Sequence, residues 1–125
     1  MIIGIGTDVV SIERFSSAIE RHGNQFLELI FTSDELAENA GKKKIATHLA
    51  ARFAAKEAAL KALGTGVSRG ITFKDVIIHR KPESPPQLTF LRTALELSDK
   101  MGVTKPHLSL SHDANLATAF VILEG

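Results

Sequence analysis

Between Ile45 and Leu63 the chain carries alanine at positions 46, 50, 51, 54, 55, 58, 59 and 62, with neither glycine nor proline until Gly64. Alanine is the strongest helix former, so the stretch predicts one long helix, closed by Gly64-Thr65-Gly66 as C-cap and turn. A helix coated in methyl groups also lets a neighbouring element approach closely. One residue sits badly in it. If Leu49, Phe53, Leu60 and Leu63 mark the inward stripe, a turn of roughly 100° per residue puts Glu57 inside that stripe. A buried carboxylate without a partner is costly, so a positive group should meet it.

The flanking segments predict the elements that pack on this helix. Residues 2–7 read as a short buried strand that ends at Asp8. Ser11 is the N-cap of a predicted helix from 12 to about 22, with Ile12, Phe15 and Ile19 inward and Gly23 as its stop. Thr32, with Glu35 three residues on, forms a capping box that opens a second helix, ended by Gly41. After the long helix the period changes. Residues 71–79 are rich in strand formers, the three prolines between 81 and 86 force a turn, and 87–90 return as a strand. A helix from about 92 to 101 stops at Gly102 and is excluded beyond Pro106. Residues 108–112 and 116–123 form two last strands around a turn at Asp113-Ala114-Asn115. The expected fold class is α+β, a largely antiparallel sheet packed with a long central helix, over residues 1–125 as a single domain.

Composition excludes several functions. Fifteen Lys and Arg against fourteen Asp and Glu leave a net charge of +1, which argues against nucleic-acid binding by bulk electrostatics, so any anion site must be local. The absence of cysteine removes disulfide and thiolate chemistry. No apolar run approaches the ~20 residues of a membrane span, and residues 1–5 lack the basic start of a signal peptide, so a soluble cytoplasmic protein without membrane contact is expected. Three motifs fail on their own chemistry. Gly4-Ile5-Gly6 lacks the third small residue of a dinucleotide fingerprint, because Val9 stands there. Ser111-His112-Asp113 cannot relay a proton, since adjacent strand residues face opposite ways. Gly64-Thr65-Gly66 follows a helix C-terminus, the wrong end of the dipole for a phosphate.

Two carboxylates survive, Asp8 at the end of the first strand and Glu57 in the long helix. Two hard oxygen ligands, completed by water and phosphate oxygens, are the usual protein share of a Mg²⁺ site. The residues alone leave a second reading open, in which Asp8 caps a turn and Glu57 pairs with Lys61 or Arg52 at ordinary helical spacing.

The segment Gly4-Ile5-Gly6-Thr7-Asp8-Val9-Val10-Ser11-Ile12-Glu13-Arg14-Phe15, with Phe53-Ala54-Ala55-Lys56-Glu57-Ala58-Ala59-Leu60-Lys61-Ala62-Leu63-Gly64-Thr65-Gly66, resembles the signature pair of the bacterial holo-[acyl-carrier-protein] synthases. These are small members of the 4′-phosphopantetheinyl transferase superfamily. The resemblance continues through Gly70-Ile71-Thr72-Phe73-Lys74-Asp75-Val76 and His107-Leu108-Ser109-Leu110-Ser111-His112-Asp113. It departs at the start of the last helix, where Phe90-Leu91-Arg92-Thr93-Ala94 replaces the glycine-containing segment that members often carry.

The resemblance implies transfer of the 4′-phosphopantetheine arm of coenzyme A to a serine of apo-acyl carrier protein, releasing adenosine 3′,5′-bisphosphate and serving fatty acid biosynthesis. It implies Mg²⁺ dependence, with Asp8 and Glu57 as the metal-binding acids, and a homotrimer with active sites at subunit interfaces. Lys61 is the expected phosphate-contacting lysine, an i,i+4 ion pair with Glu57 being the alternative. Glu57 is the expected base for the serine proton, directly or through water. His112 matches a position near the coenzyme, and Lys44 is expected to reach a coenzyme phosphate, although the run Lys42-Lys43-Lys44 also suits a solvated surface. Arg14 and Arg21, seven residues apart on the first helix, form the expected docking face for an acidic carrier, or else a solvated face shared with Glu13 and Glu20.

Overall fold

The computed structural model describes residues 1–125. In chain order it comprises β1 (Ile2–Ser11), α1 (Ile12–Ile30), α2 (Ser33–Asn39), α3 (Ile45–Leu63), β2 (Val76–His79), β3 (Gln87–Phe90), α4 (Arg92–Met101), β4 (Lys105–Asp113) and β5 (Leu116–Glu124). All strand pairing is antiparallel: β1, β5 and β4 form one sheet with β5 in the middle, and β2 and β3 form a second.

The alanine-rich stretch is α3, with the bounds expected for it, and Gly64 closes it at φ +84 by donating to the carbonyls of Leu60 and Lys61. Leu49, Leu60 and Leu63 are buried and Phe53 partly so, as expected, but burial is not confined to that stripe. Twelve of its nineteen residues are buried, on nearly every side, because the three-stranded sheet, α1, α2 and β2 all pack on it. Glu57, on the side left open, is only half-buried, and the fully buried charge is its neighbour Lys56. β1 lies so close to α3 that a Cβ built on Gly4 would stand 2.3 Å from the Ala62 carbonyl oxygen, and one on Gly6 only 1.9 Å from that of Ala58. Two apolar clusters result. Ala54, Ala58 and Leu60 meet Val76, Phe90 and Val121 in the larger one, while Phe15, Phe31, Leu49 and Ala117 form the smaller.

Other boundaries differ for identifiable reasons. β1 does not end at Asp8; the β-branched Val9 and Val10 continue it, pairing with Thr118 and Ala117, so that Asp8 is a mid-strand residue opposite Ala119. Gly23, at φ +60 and ψ −145, interrupts the helix where expected, and a second helical segment within α1 continues to Ile30 because Phe26, Leu27 and Ile30 supply another apolar face. The capping box of Thr32 and Glu35 opens α2 as expected, but α2 stops at Asn39, short of Gly41. Phe73–Asp75 is a 3₁₀ turn rather than strand, held by the Asp75 carboxylate accepting from the Thr72 amide. β4 begins earlier than expected, at Lys105, and takes in Pro106, which an edge strand tolerates. At the start of α4, Arg92 adopts φ +49, the conformation a glycine would take freely, and is held there by its Nε donating to Asp75 at 2.7 Å.

The outer face of the three-stranded sheet has no cover. Ile5 and Val9 are 59% and 58% exposed and Phe120 is 41% exposed. No helix of the chain is long and apolar enough to cross a membrane.

Candidate active site

Alternation along β1 turns Gly4, Gly6 and Asp8 towards α3, and the two glycines let the strand sit directly on the helix. This contact carries Asp8 to the C-terminal half of α3. There Lys61 Nζ donates to Asp8 Oδ1 at 3.0 Å and to the Thr7 carbonyl at 3.1 Å. Glu57 lies one turn before Lys61, on the same face. Burial, and next the Asp8 charge, push the Glu57 carboxyl above the usual carboxylate range, while Lys61 pulls it back. Asp8, Glu57 and Lys61 thus form one electrostatic unit.

No third histidine, cysteine or carboxylate joins the two acids. Such a donor set does not suit a closed tetrahedral centre. It suits Mg²⁺, a hard cation that keeps several waters and shares its shell with phosphate oxygens.

A second cluster occupies the other half of α3. Thr47, His48 and Arg52 line a recess with Arg80, Pro85 and, from β4, His112. It is cationic: burial first, then the charges of Lys42, Arg52, His112 and Arg80, hold the His48 imidazole below its usual range. The Arg52 Nε is buried without a hydrogen-bond partner, and its Nη1 donates only to the His48 carbonyl at 3.3 Å. Lys44 lies one turn before His48, exposed, at φ +56. Thirteen residues separate it from Glu57, about 20 Å along the helix axis, so within the chain it does not join the acid pair.

Arg14 and Arg21 line a single open groove on α1 with Ser17 and Asn115, and Glu13 and Glu20 alternate with them. The Asn115 carbonyl and side chain accept from the Ile12 and Glu13 amides, which pins the start of α1 to the turn between β4 and β5.

The family model of the 4′-phosphopantetheinyl transferase superfamily matches residues 4–121, a span that includes every residue of these three clusters. The chain belongs to that superfamily. It is 46% identical to the holo-[acyl-carrier-protein] synthase of Maridesulfovibrio salexigens over 124 residues, 99% of each chain. Its fold matches the crystal structure of the holo-[acyl-carrier-protein] synthase from Neisseria meningitidis with a TM-score of 0.90, 36% identity and full coverage of both chains. It also matches the Helicobacter pylori enzyme in complex with coenzyme A, with a TM-score of 0.84 and 32% identity over 96% of this chain and 99% of that one.

Within this transferase fold, Arg52, Arg80 and His48, gathered beside His112, are not singled out by the sequence. The sequence offers Arg52 only as a partner for Glu57, but five residues of helix put the two on different faces. Its charge in an alanine-rich helix was the available signal. Nothing in the local pattern distinguishes His48 or Arg80.

Proposed function

We propose that the chain transfers the 4′-phosphopantetheine arm of coenzyme A to a serine hydroxyl of apo-acyl carrier protein, releasing adenosine 3′,5′-bisphosphate and supporting fatty acid biosynthesis. The observation that carries this reading is the Asp8, Glu57 and Lys61 cluster, assembled on the two segments that resemble the family signature.

Asp8 and Glu57 are the residues that would hold Mg²⁺. When bound, the ion supplies positive charge against the coenzyme pyrophosphate. Lys61, more than half exposed and with donors to spare, exchanges its contact with Asp8 for a phosphate oxygen and steadies the leaving group. Glu57 takes the serine proton, directly or through one water that it orients. His112 and Lys44 hold the anionic end of the coenzyme at the cationic recess, and Arg14 and Arg21 meet the acidic carrier.

Residues 1–125 act as a single domain in the cytoplasm and assemble as a homotrimer with sites at subunit interfaces. Support for the assembly comes from the uncovered apolar sheet face and from the separation of the acid pair and the recess along α3.

The test is intact-mass analysis of apo-acyl carrier protein incubated with the chain, coenzyme A and Mg²⁺. The carrier gains the mass of one phosphopantetheine arm. The gain disappears without metal and with Asp8→Ala, whose far-ultraviolet circular dichroism stays that of the wild type. An unmodified carrier in the complete mixture would refute the activity, and modification by the Asp8→Ala chain would refute the metal assignment.

A further inference from the structure

The buried charge of α3 has no part in the reaction proposed above. Lys56 is fully buried, and its Nζ donates to Glu35 Oε1 at 2.8 Å and to the Phe73 carbonyl at 3.0 Å, with the Phe31 ring centroid 5.2 Å away. Glu35 is saturated in turn. Its Oε1 also accepts from the Thr32 amide and its Oε2 from the Ile78 amide, both at 2.9 Å. One ion pair therefore ties α3 to the cap of α2, to the 3₁₀ turn and to β2.

Apart from Leu49, Leu60 and Leu63, seated in the two core clusters, every buried apolar side chain of α3 is an alanine, which interlocks little with its neighbours and adds little resistance to rotation. A charge buried with good geometry is different, because any rotation that breaks its contacts leaves two ions without partners. At roughly 100° per residue, Glu57 and Lys61 fall on the arc between Lys56 and the opposite side, where the Ala58 and Ala62 carbonyls press on Gly6 and Gly4. The strand contact sets the distance between β1 and α3, while the Lys56 contact sets the angle at which Glu57 and Lys61 face Asp8.

We propose that Glu35 and Lys56 are positioning residues: their buried pair fixes the rotation of α3 so that Glu57 faces Asp8, and thereby sets the affinity of the acid pair for a divalent cation. This rests on the reading of Asp8 and Glu57 as the metal-binding pair, and the experiment separates the two. Manganese binding is measured by electron paramagnetic resonance with coenzyme A present and no carrier, alongside thermal melting. Lys56→Met strands the Glu35 charge and lowers the melting temperature; adding Glu35→Gln removes that charge and restores most of the loss.

The expected result is that the restored double variant binds Mn²⁺ at least tenfold more weakly than wild type. It also needs correspondingly more Mg²⁺ for half-maximal transfer, at an unchanged KM for coenzyme A. Wild-type Mn²⁺ affinity in the double variant would overturn the proposal. If the double variant does not fold, Glu35→Gln alone is compared with wild type at a temperature where its melting curve shows it fully native: weakened Mn²⁺ binding there supports the lock, and unchanged binding overturns it. Equal Mn²⁺ binding by wild type and Glu57→Ala would instead refute the metal-pair reading.

Discussion

Glu57 draws its proton affinity from neighbours of opposite effect. Burial and Asp8 disfavour its charge, and Lys61 favours it. The fold consequently binds the Glu57 proton more tightly than the unfolded chain does, so between the usual carboxylate range and the raised native value the native state carries more protons. Stability attributable to this group is intact below that window and falls as pH rises through it. Glu57→Gln, melted in the presence of chelator, should therefore be more stable than wild type at neutral pH, with the two curves converging at pH values below the usual carboxylate range. A gap that persisted in acid would trace to packing rather than charge. Sequence reasoning singled out Glu57 as the charge that did not fit its helix, whereas the misfit with a buried partner is Lys56, paired to Glu35. The partner escaped because Glu35 had already been given a local task, the capping box, and a carboxylate has two oxygens to spend.

Among the elements, those closed by local chemistry were the legible ones. The start of α2 follows from Thr32 and Glu35, and the ends of α3 and α4 follow from Gly64 and Gly102, which take the left-handed conformation at φ +84 and +85. The end of β1 was not legible, because a strand continues for as long as a neighbour pairs with it, and that neighbour, β5, lies at the far end of the chain. The contact of β1 with α3 yields a prediction. Gly6→Ala drives a methyl group into the Ala58 carbonyl, backbone that cannot swing aside, and such overpacking costs about 1–3 kcal/mol. Gly41→Ala, at φ +78 with nothing within 4 Å, incurs only the left-handed strain of about 1 kcal/mol. Urea unfolding should rank Gly6→Ala as the more damaging, and Gly6→Ala alone should also slow transfer by displacing Asp8; the reverse ranking would show that β1 can recede without cost.

For the whole molecule, the chain leaves the outer face of the three-stranded sheet uncovered, and Ile5, Val9 and Phe120 are among the apolar side chains it presents. Sedimentation equilibrium should give three times the 13.5 kDa chain mass. Phe120→Asp, which buries a charge in the proposed interface, should reduce the species to a monomer and abolish transfer, whereas an active monomer would place the complete site in one chain. By itself the sequence determined the extent of α3, the caps at Thr32, Gly64 and Gly102 and the α+β class, because helix propensity, glycine conformation and strand alternation act over a few residues. Only the tertiary structure decided which charge of α3 is buried and which basic residues gather beside His112. A helix packed on nearly all sides carries no periodic record of its orientation, and the recess is made by α3, β4 and the segment around Arg80 and Pro85, whose proximity no local pattern encodes.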